Sequence, residues 1–296
     1  MAVLFVGFLT WLGIASSPVE AACDAKLERV ETASWSRSGG YDAFDPTGYA
    51  DQFAFEILHL DKDGVPCEVI ATLEAAGGAR LDGPGQDQLA FDLRTDANLP
   101  NGSGRLTFRL GLEPGERTRV AYFVFLPPGQ FVGSGSHEGR LTIDLVEDLD
   151  GSVEVEDRRD VAVRASVGSG ARISFVGAVG RRQTVDFGEL TDGKTSPPVF
   201  LDVRSTADFE IRLTSEERGD LVQRADGKVW RVPYITRIDG DRVDLDRVNS
   251  SGRNFSGPTD PAGQRLPITF QLGTIGDQRA GSYRDRITIE VFPASR

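Results

Sequence analysis

Two histidines are the first candidates for acid or base chemistry in this chain, and neither has the neighbours that an enzyme needs. His59 lies in the alternating run 53–60, a pattern that predicts a strand residue rather than a catalytic base. His137 ends the Gly- and Ser-rich run 133–137, where we expect a solvent-exposed loop. No elbow motif or spacing ties a serine to either histidine. The sequence therefore predicts no catalytic residue and a protein that is not an enzyme.

Aspartate-rich segments are the next candidates, because Ca²⁺ prefers carboxylate ligands. They occur at 61–64, 148–151 and 239–241. None has the ligand spacing of an EF-hand loop, and Asp-Gly is common in ordinary β-turns. With two cysteines and two histidines in the whole chain, few ligands remain for a transition metal. We therefore predict no metal and no cofactor.

The two cysteines are predicted to form a disulfide between Cys23 and Cys67. Residues 1–22 have an apolar run followed by small or polar residues, which predicts a secretory signal cleaved near Ala21. An exported chain passes through an oxidising compartment, where a disulfide is the default and two buried thiols are the alternative. Cleavage just before Cys23 would instead indicate a lipoprotein, although Glu20 lies where such sites have an aliphatic residue.

Composition limits the class of protein. The chain has 296 residues, enough for two domains with separate cores. It contains 34 Gly, 15 Pro and one Met, a composition that favours turn-rich all-β structure over helices. The net charge of -12 disfavours nucleic acid and anionic membrane surfaces as partners.

The first half contains a series of short segments with strand-like alternation, separated by Gly, Pro and Asp turn residues. No segment shows helical periodicity over three turns, so the pattern predicts a β-sandwich. The predicted strands are 25–31, 52–60, 68–73, 88–93, 105–112, 118–126, 140–146 and 160–167.

The second half repeats this plan, with predicted strands at 171–175, 199–204, 209–213, 229–236, 266–272 and 286–292. Three pairs of segments suggest a duplication. They are FAFEI (53–57) with VFLDV (199–203), CEVIATL (67–73) with FEIRLT (209–214), and GRLTIDL (139–145) with DRITIEV (285–291). The last pair is the most similar.

One strand is predicted in the first half without a counterpart in the second. Residues 160–167 alternate Val161, Val163, Ala165 and Val167 with small or polar residues, which is typical of a strand with one buried face. In the first half, an acidic turn at 147–157 connects this strand to the preceding strand, which contains Leu141, Ile143 and Leu145. In the second half, the strand that matches the preceding one contains Ile287, Ile289 and Val291, and only four residues follow it.

We therefore expect two tandem Ig-like β-sandwich domains, one complete and one incomplete. Residues 23–167 would form a domain closed by its own donor-like strand at 160–167, and residues 168–296 a domain with an open apolar groove. The segment 168–170 would be a short flexible joint. Burying the four apolar residues of a closing strand is worth roughly 5 to 8 kcal/mol as an upper bound. An outside strand is expected to fill the groove.

The second half resembles the spore coat protein U domain family of archaic chaperone-usher pili. The motifs that carry the resemblance are VDFGEL (185–190), FLDVR (200–204) and AGSYRDRITI (280–289), and the match covers most of residues 171–292. The resemblance implies incomplete Ig-like sandwiches that assemble by donor-strand complementation. It also implies a periplasmic chaperone, an outer-membrane usher and a neighbouring pilin subunit as partners, and a location on the cell surface.

The usual pilin of this family carries its donor segment ahead of its first cysteine, whereas here the donor-like strand is internal. That arrangement resembles the two-domain tip subunit, with an adhesin domain followed by a pilin domain. The second half lacks the family's cysteines, with Ser205 near one usual position, and Cys67 lies a strand further on than in the common pattern.

Aromatic residues in predicted loops are the candidates for adhesion to a surface or receptor. Trp35 and Phe131 are the two favoured residues, because exposed apolar patches mark interaction sites. Tyr41, Phe44 and Tyr49 are more consistent with packing inside their own domain. The alternative function is a secreted carbohydrate-binding or structural surface protein of two complete sandwiches, and a hydrolase is a third.

Overall fold

In the computed structural model, every long regular element of the described residues is a β-strand, as predicted. The structure describes residues 23–35, 40–62, 64–98, 102–149, 152–178, 180–245 and 251–294. The predicted signal segment 1–22 lies outside these ranges. Among the described residues, no helix has the length and apolar character needed to cross a membrane.

In the described residues of the first half, eleven strands form two sheets. One sheet has the order β1-β3-β9-β7, and the other has the order β2-β11-β10-β4-β8, with the short β5 and β6 attached beside β10. The strands are β1 (Ala25–Val30), β2 (Ala33–Ser34), β3 (Tyr49–His59), β4 (Cys67–Ala75), β5 (Arg80–Asp82), β6 (Gln88–Ala90), β7 (Asp92–Arg94), β8 (Arg105–Leu112), β9 (Arg117–Leu126), β10 (Gly135–Leu149) and β11 (Ser152–Val167).

The core of the first half lies between these two sheets, because alternate residues of each strand point inward. Phe55 and Ile57 on β3 and Leu73 on β4 are fully buried there. The predicted disulfide joins Cys23, just before β1, to Cys67 at the start of β4, so it links the two sheets. Closing this loop is expected to stabilise the first half by about 4 kcal/mol on the chain-entropy estimate.

The part of the second half that the structure describes has nine strands, also in two sheets. One has the order β12-β13-β19-β16-β15 with β17 beside β16, and the other has the order β18-β14-β20. The strands are β12 (Ala171–Phe175), β13 (Val199–Ser205), β14 (Phe209–Ser215), β15 (Asp220–Ala225), β16 (Lys228–Ile238), β17 (Asp241–Val243), β18 (Ser251–Phe255), β19 (Gln264–Leu272) and β20 (Ile287–Pro293).

The two halves share one strand order. The row β1-β3-β9 corresponds to β12-β13-β19, and the row β8-β4-β10 corresponds to β18-β14-β20. The strand pairing corrects one predicted correspondence between the halves. Ile143 lies opposite Leu73, and the equivalent Ile289 lies opposite Leu213. Counting back four residues from each leucine makes Val69, rather than Cys67, equivalent to Phe209. The shift is two residues, which keeps the same face buried.

The acidic turn predicted at 147–157 is wrong. β10 continues to Leu149 and β11 begins at Ser152, so most of these residues form a long antiparallel hairpin. Two acidic residues of this range bond to the start of the chain rather than to solvent: Glu147 Oε1 accepts from Cys23 N–H at 2.8 Å, and Asp157 Oδ2 accepts from Leu27 N–H at 3.1 Å. Such distant partners are the reason that composition alone indicates a turn where the chain forms strands.

The flexible joint predicted at 168–170 is also wrong, because hydrogen bonds hold it. Gly168 N–H donates to the Tyr41 carbonyl at 3.2 Å. The Thr206 hydroxyl donates to the Gly168 carbonyl at 2.8 Å and accepts from Gly170 N–H at 2.9 Å. From the first half, Ser134 N–H donates to the Thr206 carbonyl at 2.7 Å. The connection between the two halves is a bonded junction.

Candidate strand-acceptor groove

β20 is an edge strand, whereas its counterpart β10 is a central strand. β10 pairs antiparallel with β4 on one side and with β11 on the other. β20 pairs with β14, and no strand of the described ranges pairs with its other edge. An unpaired edge presents free N–H and C=O groups that can template another strand.

Burial shows the consequence for the side chains. Leu141, Ile143 and Leu145 on β10 are each 0% exposed. The equivalent residues Ile287, Ile289 and Val291 on β20 are only half-buried, although they pack against the second core. The same apolar pattern is therefore sealed in one sandwich and partly open in the other.

The opposite wall of the groove comes from β12 and the segment after it. β12 lies against β20 across the sandwich. Apolar side chains along this wall are half-buried and pack against the second core, as Ile173, Phe175, Val185, Phe187 and Leu190 do. In β12 and in the VDFGEL motif (185–190), these residues are interspersed with exposed ones, so each stretch presents one apolar face.

In the first half, β11 occupies the equivalent place. Its residues Val161, Val163, Ala165 and Val167 are each at most 4% exposed and belong to the first core. β11 also pairs parallel with β2 on its other side, and Tyr41 forms a parallel bridge with Val167. β11 therefore lies between two strands and completes the sheet.

The register of β11 places most of its apolar residues opposite the start of β10. Val161 lies opposite Leu141, but Val163, Ala165 and Val167 lie opposite Gly139, His137 and Gly135. Ile143 and Leu145 instead face Arg159 and Asp157. The apolar part of β11 thus pairs with the first half of β10.

Asp157 connects β11 to the facing sheet. Its Oδ2 accepts a hydrogen bond from Leu27 N–H at 3.1 Å, which ties β11 to the edge of β1 in the facing sheet. The sequence pattern does not predict this contact, because the acidic composition of 147–157 indicates a turn. A strand that seals such a groove can therefore combine apolar residues with one polar residue at the sheet edge.

A hydrogen-bond network holds the start of β20 although its edge is unpaired. Asp285 Oδ2 accepts hydrogen bonds from the hydroxyl groups of Tyr234 and Ser215, the second at 2.6 Å. The other carboxylate oxygen, Oδ1, accepts a hydrogen bond from Glu217 N–H at 3.1 Å. Burial, and then the hydrogen bond to Asp285, raise the pKa of Tyr234, so its hydroxyl remains a donor. Sequence reasoning missed this network, although Asp285 lies in the AGSYRDRITI motif.

The two histidines lie in different buried settings. His59, at the end of β3, is 2% exposed, and its Nε2 lies 3.8 Å from Cys67 Sγ. The exposed loop predicted for His137 is wrong: His137 lies on β10 and is 0% exposed. Burial lowers the pKa of His137, opposed in part by a hydrogen bond from the ring to the Gly135 carbonyl and by the charge of Asp87.

Trp35 and Phe131, the two residues predicted for adhesion, are both half-buried and pack against the first core. Trp35 makes an edge contact with Phe53, with ring centroids 6.0 Å apart. Phe131 contacts Phe44 at 5.2 Å and lies under Arg204 of the second half, so it belongs to the junction. Both side chains keep part of their surface accessible, and their role in adhesion stays a prediction.

Several solved structures resemble this chain. One chain in the CsuC–CsuE chaperone-tip adhesion subunit pre-assembly complex, from archaic chaperone-usher Csu pili of Acinetobacter baumannii, is 13% identical, with 90% of this chain and 99% of that chain covered and a TM-score of 0.42. The CupB6 tip adhesin from Pseudomonas aeruginosa is 11% identical, with 90% and 93% covered and a TM-score of 0.38. CfaE, the adhesive subunit of CFA/I fimbria of enterotoxigenic Escherichia coli, is 13% identical, with 87% and 79% covered and a TM-score of 0.37.

No protein-family model matches the sequence, and no curated protein matches it. Because the identities and TM-scores of the structural neighbours are low, these likenesses carry no argument about function. The strand order establishes the fold independently of them: the chain forms two all-β sandwiches, and in the described residues the second has an open edge at β20.

Proposed function

We propose that the chain is a non-enzymatic subunit of an archaic chaperone-usher pilus, in which the second sandwich accepts a β-strand from another polypeptide. The observation that carries the proposal is the contrast between β10, which β11 seals, and β20, whose equivalent apolar residues are half-buried beside an unpaired edge. Strand addition to such an edge is a recurring mode of peptide recognition. The resemblance of 185–190, 200–204 and 280–289 to spore coat protein U domains supports the same assignment.

Within such a pilus, the chain takes the place of the tip adhesin. Its first sandwich contains β11 and needs no strand from outside, so that sandwich is free to bind a surface or receptor. The second sandwich attaches the subunit to the next pilin. The partners are a periplasmic chaperone that holds the groove before assembly, an outer-membrane usher, and the neighbouring pilin. The chain acts at the cell surface after export through the periplasm.

The first half supplies a template for the incoming strand. A strand that enters beside β20 would run antiparallel to it, as β11 runs antiparallel to β10. Its alternate residues must be apolar and of the size of valine or alanine, because the residues of β11 that fill the first groove are Val161, Val163, Ala165 and Val167. A synthetic peptide with the sequence of residues 157–167 therefore serves as a probe of the second groove.

The test is to add this peptide to a chain of residues 23–296 and to follow thermal unfolding of the second half by the fluorescence of Trp230. A ligand that binds only the folded state raises the unfolding midpoint as its concentration increases. We expect this rise with the wild-type peptide and its loss with a peptide that carries Asp in place of the residue equivalent to Val163.

Two variants of β20 provide matched controls. Ile289→Asp places a carboxylate in the groove and should abolish the response to the peptide, whereas Thr288→Asp places the same group on the exposed outer face and should retain it. A second half that is stable, monomeric and indifferent to the peptide would contradict the proposal. That outcome would favour a secreted surface protein of two complete sandwiches.

A further inference from the structure

Three potential metal ligands meet at one end of the first sandwich. Cys23 and His59 are 1% and 2% exposed, and Cys67 is half-buried. The two sulfur atoms and a ring nitrogen of His59 all lie within 4.8 Å of one another. The sequence does not predict this cluster, because its three members are far apart along the chain and have no metal-site spacing.

The two ring nitrogens of the buried His59 have different surroundings. Its Nε2 lies 3.8 Å from Cys67 Sγ, and among the described residues its buried Nδ1 has no hydrogen-bond partner. A buried polar atom without a partner costs free energy. The imidazole is therefore directed at the sulfur pair rather than held by the backbone.

In the second sandwich, the position equivalent to His59 holds a serine whose hydroxyl group is hydrogen-bonded. Ala25 of β1 lies opposite His59, and Ala171 of β12 lies opposite Ser205, so His59 and Ser205 are equivalent. The Ser205 hydroxyl donates to the Ala207 carbonyl at 2.7 Å and receives a hydrogen bond from Ala207 N–H at 3.2 Å. The fold thus accommodates a fully bonded small residue at this position, and histidine is not needed to close the strand end.

The distances suit a thiolate–imidazole metal site. With typical zinc bond lengths of about 2.3 Å to sulfur and about 2.0 Å to nitrogen, a tetrahedral site separates a sulfur from a nitrogen ligand by roughly 3.5 Å. The distance from His59 Nε2 to Cys67 Sγ, 3.8 Å, is already close to this value. The two cysteine Cα atoms lie 5.7 Å apart, so the sulfurs can separate by side-chain rotation once their bond is broken.

We propose that reduction of the Cys23–Cys67 disulfide opens a binding site for one thiophilic d¹⁰ cation, Zn²⁺ or Cu⁺, with Cys23, Cys67 and His59 as ligands. A phosphine or dithiol reductant supplies two electrons, and each sulfur takes up a proton as the S–S bond breaks. The cation then displaces the two thiol protons to solvent and binds the neutral imidazole through Nε2. Soft thiolate and imidazole ligands suit both cations.

Glu147 positions one of the ligands. The carboxylate is 5% exposed, and its Oε1 accepts a hydrogen bond from Cys23 N–H at 2.8 Å. This bond holds the backbone of Cys23 against β10 without involving the sulfur atom. The cysteine would therefore stay beside His59 when the disulfide opens.

The experiment uses a chain of residues 23–296, first folded in its oxidised form and then reduced with a phosphine under argon. Zn²⁺ and Cu⁺ are added in separate arms, and binding is followed by native mass spectrometry and by the thermal unfolding of the first half through Trp35 fluorescence. We expect one equivalent of at least one cation to bind the reduced chain and to raise the unfolding midpoint, and the oxidised chain to bind neither at this site.

The two histidines make a matched pair of variants. His59→Gln should weaken binding by at least about tenfold, since loss of even an outer partner of a metal ligand costs that much. His137→Gln changes the other buried histidine and should leave binding unchanged. Both variants keep the disulfide, so their folding is checked in the oxidised form before reduction.

Three results would overturn the proposal. The first is that reduced wild-type chain binds neither cation. The second is that reduced His59→Gln binds as tightly as the wild-type chain, because the cation would then need only the thiols. The third is that the oxidised and reduced chains bind equally, because the site would then not depend on the disulfide.

Discussion

His137 shows how the space around a residue, rather than its neighbours in sequence, decides its burial. Its Gly- and Ser-rich surroundings predict an exposed loop, yet the ring is fully buried on β10. Gly83 makes this possible: a Cβ added there would lie 2.2 Å from His137 Nε2. The sequence cannot reveal this contact, because Gly83 lies far away along the chain and its importance is the absence of a side chain.

This burial gives the first half a predictable pH dependence. Because burial lowers the folded-state pKa of His137 while the unfolded value stays near about 6.5, the unfolded state binds more protons as the pH falls. With respect to His137, the first half has its full stability above about pH 6.5. It loses stability as the pH falls from there through the lowered folded-state pKa of this residue.

The measurement is the urea midpoint of the first half, followed by Trp35 fluorescence between about pH 7.5 and about pH 5. We expect the midpoint to decrease with acid in the wild-type chain and to decrease less in His137→Gln. The second half contains no histidine, so its Trp230 signal is an internal control. Equal acid sensitivity of the first half in both chains would refute the assignment.

Among the elements, strands with strict alternation were predictable and strands that depend on distant partners were not. The predicted strand 105–112 and β8 agree, as do 171–175 and β12, because one face of each is apolar. The predicted strand 88–93 is instead two strands. Its first part pairs with β5 and its second with β9, so the chain changes sheets at the buried Phe91.

β11 is the element whose removal should damage the first half most. Val163 is 0% exposed and faces the first core, whereas Val155 on the same strand is 51% exposed. Val163→Asp buries a carboxylate and should cost several kcal/mol, a large part of an ordinary domain stability of about 5 to 15 kcal/mol. Val155→Asp makes the same chemical change at an exposed site and should stay within about 0.5 kcal/mol.

The readout is denaturant unfolding with one tryptophan in each half as reporter. Val163→Asp should unfold the region around Trp35 at lower denaturant and leave the Trp230 transition in place. An unchanged Trp35 transition would show that β11 does not complete the first sandwich.

At the scale of the whole molecule, the duplication was predictable but the geometry of the junction was not. The GRLTIDL and DRITIEV segments align because both are strands with one buried face, and they occupy equivalent positions in the two sandwiches. The junction depends on contacts that no local pattern records: Arg172 lies over the Phe44 ring at 4.5 Å, and Arg204 lies over the Phe131 ring at 5.7 Å. These contacts place loops of the first half against the edge of the second.

The open groove is likewise recognised by comparing the two halves. β20 has the same alternation as β10, so the strand itself does not distinguish a sealed edge from an open one. The expectation of an open groove came from comparing the two halves of the sequence, and among the described residues β20 has one strand neighbour and β10 has two. The proposed function requires that the second edge of β20 is free in the isolated chain.

Amide hydrogen exchange of β20 and β10, measured by NMR on the same chain of residues 23–296, tests that claim most directly. In an antiparallel pair, alternate backbone N–H groups point to opposite sides. We therefore expect about half of the β20 amides to exchange rapidly and to become protected when the 157–167 peptide is added, while the β10 amides stay protected throughout. Uniform protection of β20 without peptide, equal to that of β10, would contradict the account.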